Sequence, residues 1–574
     1  MKRILLQIII ALLFFQSFGQ NILCLDDPPS NNFIAKSPWP IMHRNTFSQA
    51  STCLRAPEVF DELTVRYCPT PFNRSATWLY FTERYSNGQR AILGSSSTHV
   101  FKAVDDALGL RVIQSLRIDF NVLDFSFNHL LLRNKTWISY DYDDNNNVNK
   151  VFKYSDQDTT DIYSPIVLLN TLTLPNTVLG KAALFNVTQD GWIAFNTTGG
   201  TFGVIKPDFS EVITLNLPLE NGEISYHNNF AVDEDNSIYI VTTKKMIKLK
   251  WNNPNITIEW TAPYDFVGNG PTSLLAKGSG TTPTLIGWGA GNDKLVVVAD
   301  GHSPNNMVAF WRDNIVPSDW NGIAGQDIRV AGIRNLTGFQ NLNNGFQSIE
   351  NSICANGYEM AVAQYNGFTY SCNNAKGVVK CKWDTVLNSL DLVWNNANLN
   401  FNNALTYSRD SNLVYGNGKE ADCNYYFYGL DWNTGNVVIR KLLGSTEDYN
   451  DQGCNISIND NNSLVEPTAT GFIQIKYDNP LGIESPSVTN QEFSIFPNPV
   501  QNILNIQDTN KYKNIEISLF NNLGQKILHK KLNKDKKQID LSHILDGIYS
   551  IKIEGINELN TPINSFQKII KTSQ

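Results

Sequence analysis

Asp190-Gly191 leading into Trp192-Ile193-Ala194-Phe195, Asp235-Asn236 into Ile238-Tyr239-Ile240-Val241, and Asn292-Asp293 into Leu295-Val296-Val297-Val298 are one unit written three times. It recurs as Asn356-Gly357 before Met360-Ala361-Val362-Ala363 and as Ser411-Asn412 before Leu413-Val414-Tyr415. Gly, Asn and Asp tolerate the positive φ of a tight turn, and the apolar run after each turn has the length of a strand buried on both faces. Counted from Gly191, the turns fall at Asn236, Asp293, Gly357 and Asn412, in steps of 45, 57, 64 and 55 residues. Propeller blades of four strands repeat every ~40–50 residues, so these steps predict blades carrying some long loops.

Working outward, residues 37–477 show almost no helical periodicity. Short β-branched and aromatic runs alternate with Asn, Asp, Gly and Ser, as where Asn87-Gly88 separates Trp78–Phe81 from Arg90–Leu93. A string of β-sandwich domains would show linkers and restarts in composition, and none stands out between Ser37 and Asp478. Two or three units before Lys181 and a closing strand at Phe472–Tyr477 bring the expectation to an all-β chain with a seven- or eight-bladed propeller over residues 35–480. Ser37-Pro38-Trp39-Pro40-Ile41-Met42-His43-Arg44 resembles the leading strand of quinoprotein-like (PQQ-like) propellers. Tyr428-Gly429-Leu430-Asp431-Trp432-Asn433-Thr434-Gly435-Asn436-Val437-Val438 resembles the turn between their outer blade strands, where Thr-Gly closes a hairpin. That resemblance speaks to fold more than to activity.

The two ends read differently. Lys2 and Arg3, an apolar run from Ile4 to Phe15 and the small residues Ser17 and Gly19 have the pattern of a signal peptide over residues 1–20. That run is too short for a membrane span and no later segment is apolar enough, so no transmembrane segment is expected in the mature chain. Residues 481–490 read as a linker. Beyond it the charge turns from −11 to +3, with 11 Lys against 8 acidic residues from Gln491 onward. There Phe493-Ser494-Ile495-Phe496-Pro497-Asn498-Pro499-Val500, Ile515–Lys526 with Gly524 at a turn, and Gly547-Ile548-Tyr549-Ser550-Ile551-Lys552-Ile553 resemble the type A C-terminal sorting domain of the type IX secretion system. The resemblance implies a small antiparallel β-sandwich over residues 491–574, recognition by that secretion machinery, a secreted or outer-membrane-surface protein, and a source in the Bacteroidota. Alternation at Ile515, Ile517 and Leu519 and at Ile551 and Ile553 gives half-buried strands without the family.

The net charge of −8 argues against a nucleic-acid partner. Eight cysteines in an exported chain suggest disulfides, and close spacing suggests Cys53–Cys68, Cys372–Cys381 and Cys423–Cys454. Three functional classes stay open. A quinone-dependent dehydrogenase would hold its cofactor and a Ca²⁺ ion on the propeller axis, and no vicinal Cys-Cys pair supports it. Trp260, Trp394 and Trp432 are expected in the packing of outer strands. A Ca-dependent hydrolase or lactonase would use the cluster after Leu295–Ala299, where Asp300 and Asn305 can bind a hard cation and His302 can act as a base. The same residues also suit a plain polar turn. The Asp143–Asn147 and Asn459–Asn462 stretches look calcium-like but lack the Gly and terminal Glu of an EF-hand. No Gly-x-Ser-x-Gly elbow occurs. A binding or interaction module for a glycan or protein, with Trp311, Trp320 and Tyr370 as candidate contacts, is the reading favoured here.

Overall fold

The computed structural model describes residues 27–572 apart from 97–98, 118–128, 144–147, 226–228, 265–277, 303–304, 337–349, 365–371, 373–376, 402, 452, 479–494, 498–499, 507–511, 522–525, 533–536 and 558–561. The signal-peptide stretch, Cys24, the linker, Tyr370, Asn498, Pro499 and Gly524 therefore lie outside the described residues, as do 144–147 of the first acidic stretch. The chain divides into two compact units, residues 1–478 and 479–574.

The first unit is an eight-bladed propeller. Among the described residues it has eight sheets, each built on four antiparallel strands, and the short Ser51–Thr52 strand adds to one of them in parallel. Seven come from contiguous chain: blade 1 (80–117), blade 2 (130–173), blade 3 (182–216), blade 4 (231–263), blade 5 (284–335), blade 6 (354–396) and blade 7 (406–444). Blade 8 takes three strands from 457–478 and its outermost from Glu62–Pro69, which runs antiparallel to Gly471–Asp478 with Val65 opposite Ile475. The ring is thus closed by its own N-terminal segment.

All five quoted turns join the first strand of a blade to its second, in blades 3 to 7. Gly191, Asn236, Gly357 and Asn412 there have φ of 90°, 62°, 57° and 53°. The second strands Ile193–Thr197, Ser237–Val241 and Leu295–Ala299 are buried at every residue, as strands enclosed between two neighbouring blades must be. Acidic residues at or beside these turns tie each blade to the next. Asp190 accepts the Trp251 indole N–H at 3.0 Å, Asp293 that of Trp383 at 2.8 Å, and Glu359 that of Trp432 at 2.7 Å. Thr434-Gly435 closes the hairpin between the last two strands of blade 7. Its Gly435 has φ of 71°, and a Cβ there would lie 2.5 Å from the Trp394 ring, so only glycine fits beneath that tryptophan.

Several expectations need correcting. Residues 37–44 form no strand. The disulfide runs between Cys372 and Cys423, joining loops of neighbouring blades 6 and 7. Cys53 is disulfide-bonded, with its partner outside the described residues. Cys68, Cys381 and Cys454 are buried free thiols, as is Cys354. Sequence neighbours were a poor guide because Cys381 sits on a strand facing the core between blades 5 and 6, while Cys372 lies on a loop at the blade's end.

The second unit is a small β-sandwich. Its sheets are Ile495–Phe496, Ile503–Ile506 and Gln538–Asp540, and Lys526–Leu532, Tyr512–Phe520, Gly547–Asn557 and Pro562–Lys571. Ile517 stands opposite Ile553 and Leu519 opposite Ile551, and all four are buried in its core. Tyr549 is buried there too, with its hydroxyl donating to the Leu545 carbonyl at 2.7 Å, and Pro497 follows the first strand.

Candidate functional site

The axis of the propeller is filled by residues 39–50. The first strand of each blade lines the axis with one edge, whose N–H groups need acceptors. Trp39 O accepts from Phe81 N of blade 1 at 3.0 Å, and Pro40 O from Leu131 N of blade 2 at 3.3 Å. Thr46 O accepts from Val232 N of blade 4, Phe47 O from Leu285 N of blade 5, Gln49 O from Ala355 N of blade 6, and Ala50 O from Tyr407 N of blade 7, all at 2.8–3.0 Å. The segment serves the blades in ring order because it coils rather than extends. His43, Arg44, Ser48 and Ala50 all have positive φ, an unusual density of left-handed non-glycine residues.

His43 pins the coil at its centre. Asn455, next to the first strand of blade 8, gives both hydrogens of its Nδ2 to the Ala404 and Leu405 carbonyls, so its Oδ1 is left to accept. His43 Nδ1 therefore carries the proton and donates to that oxygen at 2.5 Å, while Nε2 accepts from Thr282 Oγ1 at 2.9 Å. Complete burial lowers the imidazole's pKa to about 4, so it stays neutral. Trp39 and Phe47 are also fully buried, and Phe47 lies under the Arg312 guanidinium at 5.4 Å.

With the axis filled, the exposed surfaces left for recognition are the two loop faces and the rim. The longest connections between blades, 264–283 from blade 4 to 5 and 336–353 from blade 5 to 6, leave and re-enter on one face. The loops 364–377 of blade 6 and 420–424 of blade 7, stapled by Cys372–Cys423, leave from that same face, as does the turn 300–305.

The turn 300–305 is where the predicted trio falls, and it does bring the three residues together. Asp300 is fully buried. Its carboxylate accepts from His302 N at 3.1 Å, Asn306 N at 2.6 Å and Asn306 Nδ2 at 2.9 Å, and burial raises its pKa to about 6. Asn305, also fully buried, donates from Nδ2 to Asp300 O at 2.8 Å. His302 is half-buried and is the accessible member. Of the other candidates, Trp311 is core, 3% exposed between Trp320 and Trp383, while Trp320 is half-buried on the opposite face. Asp460 is held by Arg90 at 2.9 Å and by Arg84, which accounts for the second acidic stretch.

Sequence reasoning missed the axial coil because its residues answer to seven different blades and share no period. The signal present was the density of large apolar and polar residues, Trp39 to Phe47, in a segment with no strand pattern.

Residues 494–571 match the family of secretion system C-terminal sorting domains. The second unit is therefore a type IX sorting domain, and its presence indicates recognition by that machinery and export to the cell surface or the extracellular space. An uncharacterized protein of Archaeoglobus fulgidus is 29% identical over 439 residues, covering 72% of this chain and 82% of that protein. Solved structures that align include the Nup133 β-propeller domain of Vanderwaltozyma polyspora (TM-score 0.40, 9% identity, 60% of this chain and 92% of that one). A europium-containing methanol dehydrogenase aligns at TM-score 0.35 and 9% identity over 77% and 98% of the two chains. A putative 6-phosphogluconolactonase of Bacteroides fragilis aligns at 0.35 and 13% over 66% and 97%. At those scores the strand order, not the alignments, carries the fold. Among the described residues no helix is long and apolar enough to cross a membrane.

Proposed function

We propose that the propeller is a binding module, exported through the type IX route and displayed on or released from the cell, that takes a glycan or protein on the long-loop face of blades 5 to 7. The observation that carries this reading is the axis filled by residues 39–50. Both enzyme alternatives, the quinone-dependent dehydrogenase and the Ca-dependent hydrolase or lactonase, would place their chemistry on that axis, where this chain has put Trp39, His43 and Phe47. The loop face offers instead a surface stapled across two blades by Cys372–Cys423. On it, Asp300 and Asn305 shape the turn that presents His302 to a ligand. A signal peptide over residues 1–20, the domain limits 35–480 and 491–574 with a linker at 481–490, and a source in the Bacteroidota belong to the same reading.

The test is binding of the purified full chain to an array of extracellular glycans and to intact cell surfaces, with EDTA present. Saturable binding that His302→Ala weakens while the melting temperature holds supports the proposal. Turnover of a lactone or ester that Asp300→Ala lowers without unfolding the protein would instead establish the hydrolase. A stabilising shift with quinone beyond that given by calcium alone would establish the dehydrogenase.

A further inference from the structure

Between blades 7 and 8 lies a group of buried oxygens that the binding reading leaves unused. Glu466, on the Ser463–Pro467 strand, is fully buried, makes no ion pair among the described residues, and has no donor aimed at either carboxylate oxygen. Its carboxyl interacts directly with that of Asp451, which is equally buried and accepts the backbone N–H of Gly453 at 2.6 Å and of Cys454 at 3.1 Å on Oδ1. Two facing carboxylates only accept, so neither satisfies the other when ionised.

Neutral oxygens join them. Asp451 pairs through its backbone with Thr468, two residues beyond Glu466, and Thr468 is fully buried with no partner for Oγ1. Asn417, on the Leu413–Lys419 strand of blade 7, stands against Glu466. It spends Nδ2 on Tyr449 O at 3.1 Å, and its Oδ1 has no donor. Asn450, next to Asp451, likewise spends Nδ2 on Glu447 at 2.6 Å and leaves a buried Oδ1 without a donor. Buried polar atoms nearly always find partners; here the Thr468 hydroxyl can donate only once while the other oxygens only accept, so the patch calls for a positive group among them.

We infer that Asp451, Glu466, Asn417, Asn450 and Thr468 form a calcium site that ties blade 8 to blade 7. The charge fits, because two carboxylates are balanced by one divalent ion. The chemistry fits, because every donor is a hard oxygen. The number fits, because five oxygens without donors plus the Asp451 carboxylate reach the six to eight that Ca²⁺ takes in flexible geometry. The site uses none of the residues placed on the loop face and stands independently of any ligand there.

The test is metal analysis of the full wild-type chain, equilibrated with calcium and then desalted, beside melting in EDTA and in Ca²⁺. The expected result is one calcium per chain and a rise in melting temperature of about 3 °C or more at saturating Ca²⁺, with less from Mg²⁺. Glu466→Gln should lose both the metal and the rise, while Asp460→Asn, outside the site, keeps them. Wild-type protein free of calcium, with the same melting temperature in EDTA and Ca²⁺, overturns the inference and leaves a proton-sharing acid pair. So does a folded Glu466→Gln variant that retains stoichiometric metal. The wild-type measurement decides even where the variant does not fold.

Discussion

Replacing His43 with glutamine should change how the propeller responds to acid, by an amount the structure sets. In the unfolded chain an imidazole titrates near ~6.5, whereas burial lowers His43 to about 4 in the fold. The folded state thus binds fewer protons between those values. The stability that neutral His43 contributes is complete above the unfolded pKa and is lost as pH falls through the folded one. For a shift of that size the loss from pH 7 is about 2 kcal/mol by pH 5 and about 3 kcal/mol by pH 4. His129, also lowered to about 4 by burial, acts in the same direction, and Asp300, raised to about 6, acts in the opposite one. Both remain in His43→Gln, so they cancel when the two proteins are compared. The assay is urea unfolding followed by tryptophan fluorescence at pH 7, 5 and 4. All 12 tryptophans precede residue 433, so the signal reports the propeller and not the sorting domain. The variant starts lower at pH 7 but should fall less steeply. Parallel profiles, within about 0.5 kcal/mol across the range, would show that His43 does not sit neutral on the axis and would refute the coil as described.

Phe47→Ala removes a fully buried ring beneath Arg312 and beside Trp288, and should cost about 3–5 kcal/mol in the same urea assay. Loss under 1 kcal/mol would mean the axis is not packed. The double variant Cys372→Ser with Cys423→Ser opens a loop of 51 residues' separation and should lower stability by about 2–4 kcal/mol in that assay. Deleting residues 494–571 should leave the propeller's tryptophan signal intact while the protein stays inside the cell, measured by immunoblot of cell and medium fractions. Continued export of the deleted chain would assign sorting to another segment.

What was legible in the sequence follows from which interactions are local. The inner turns at Gly191, Asn236, Asp293, Gly357 and Asn412 announce themselves because a tight turn needs particular residues and the strand after it alternates between two neighbouring blades. Blade number was blurred by insertions such as 312–329 in blade 5. It was blurred further because blade 8 is assembled from 62–69 and 457–478, which no repeat can show. Disulfide partners are set by which loops emerge side by side on one face. That is why Cys372 meets Cys423 across a blade boundary while Cys381, closer in sequence, points into the core. The cluster at Asp300 was found as a cluster, but sequence could not say how its oxygens are spent. Three donors on that carboxylate come from His302 in the turn and Asn306 at the start of the next strand.

The axial coil follows from the number of blades. Adding blades to a ring widens its centre, and each first strand still presents one edge of N–H groups to the axis. With eight blades the opening is too wide for side chains from the first strands alone to close, and water there would leave large apolar faces exposed. Residues 39–50 solve both problems at once. Their carbonyls take six blade edges in turn, and Trp39, Ile41, Phe47 and Ala50 supply apolar volume to three separate interblade cores. The segment that follows them continues through Ser51–Thr52, parallel to Thr406–Ser408, and then becomes the closing strand of blade 8. One continuous stretch from 39 to 69 therefore plugs the axis and locks the ring. A chain built this way has committed its centre to stability, and the proposed binding function falls to the faces, where the longest loops and the interblade disulfide are found.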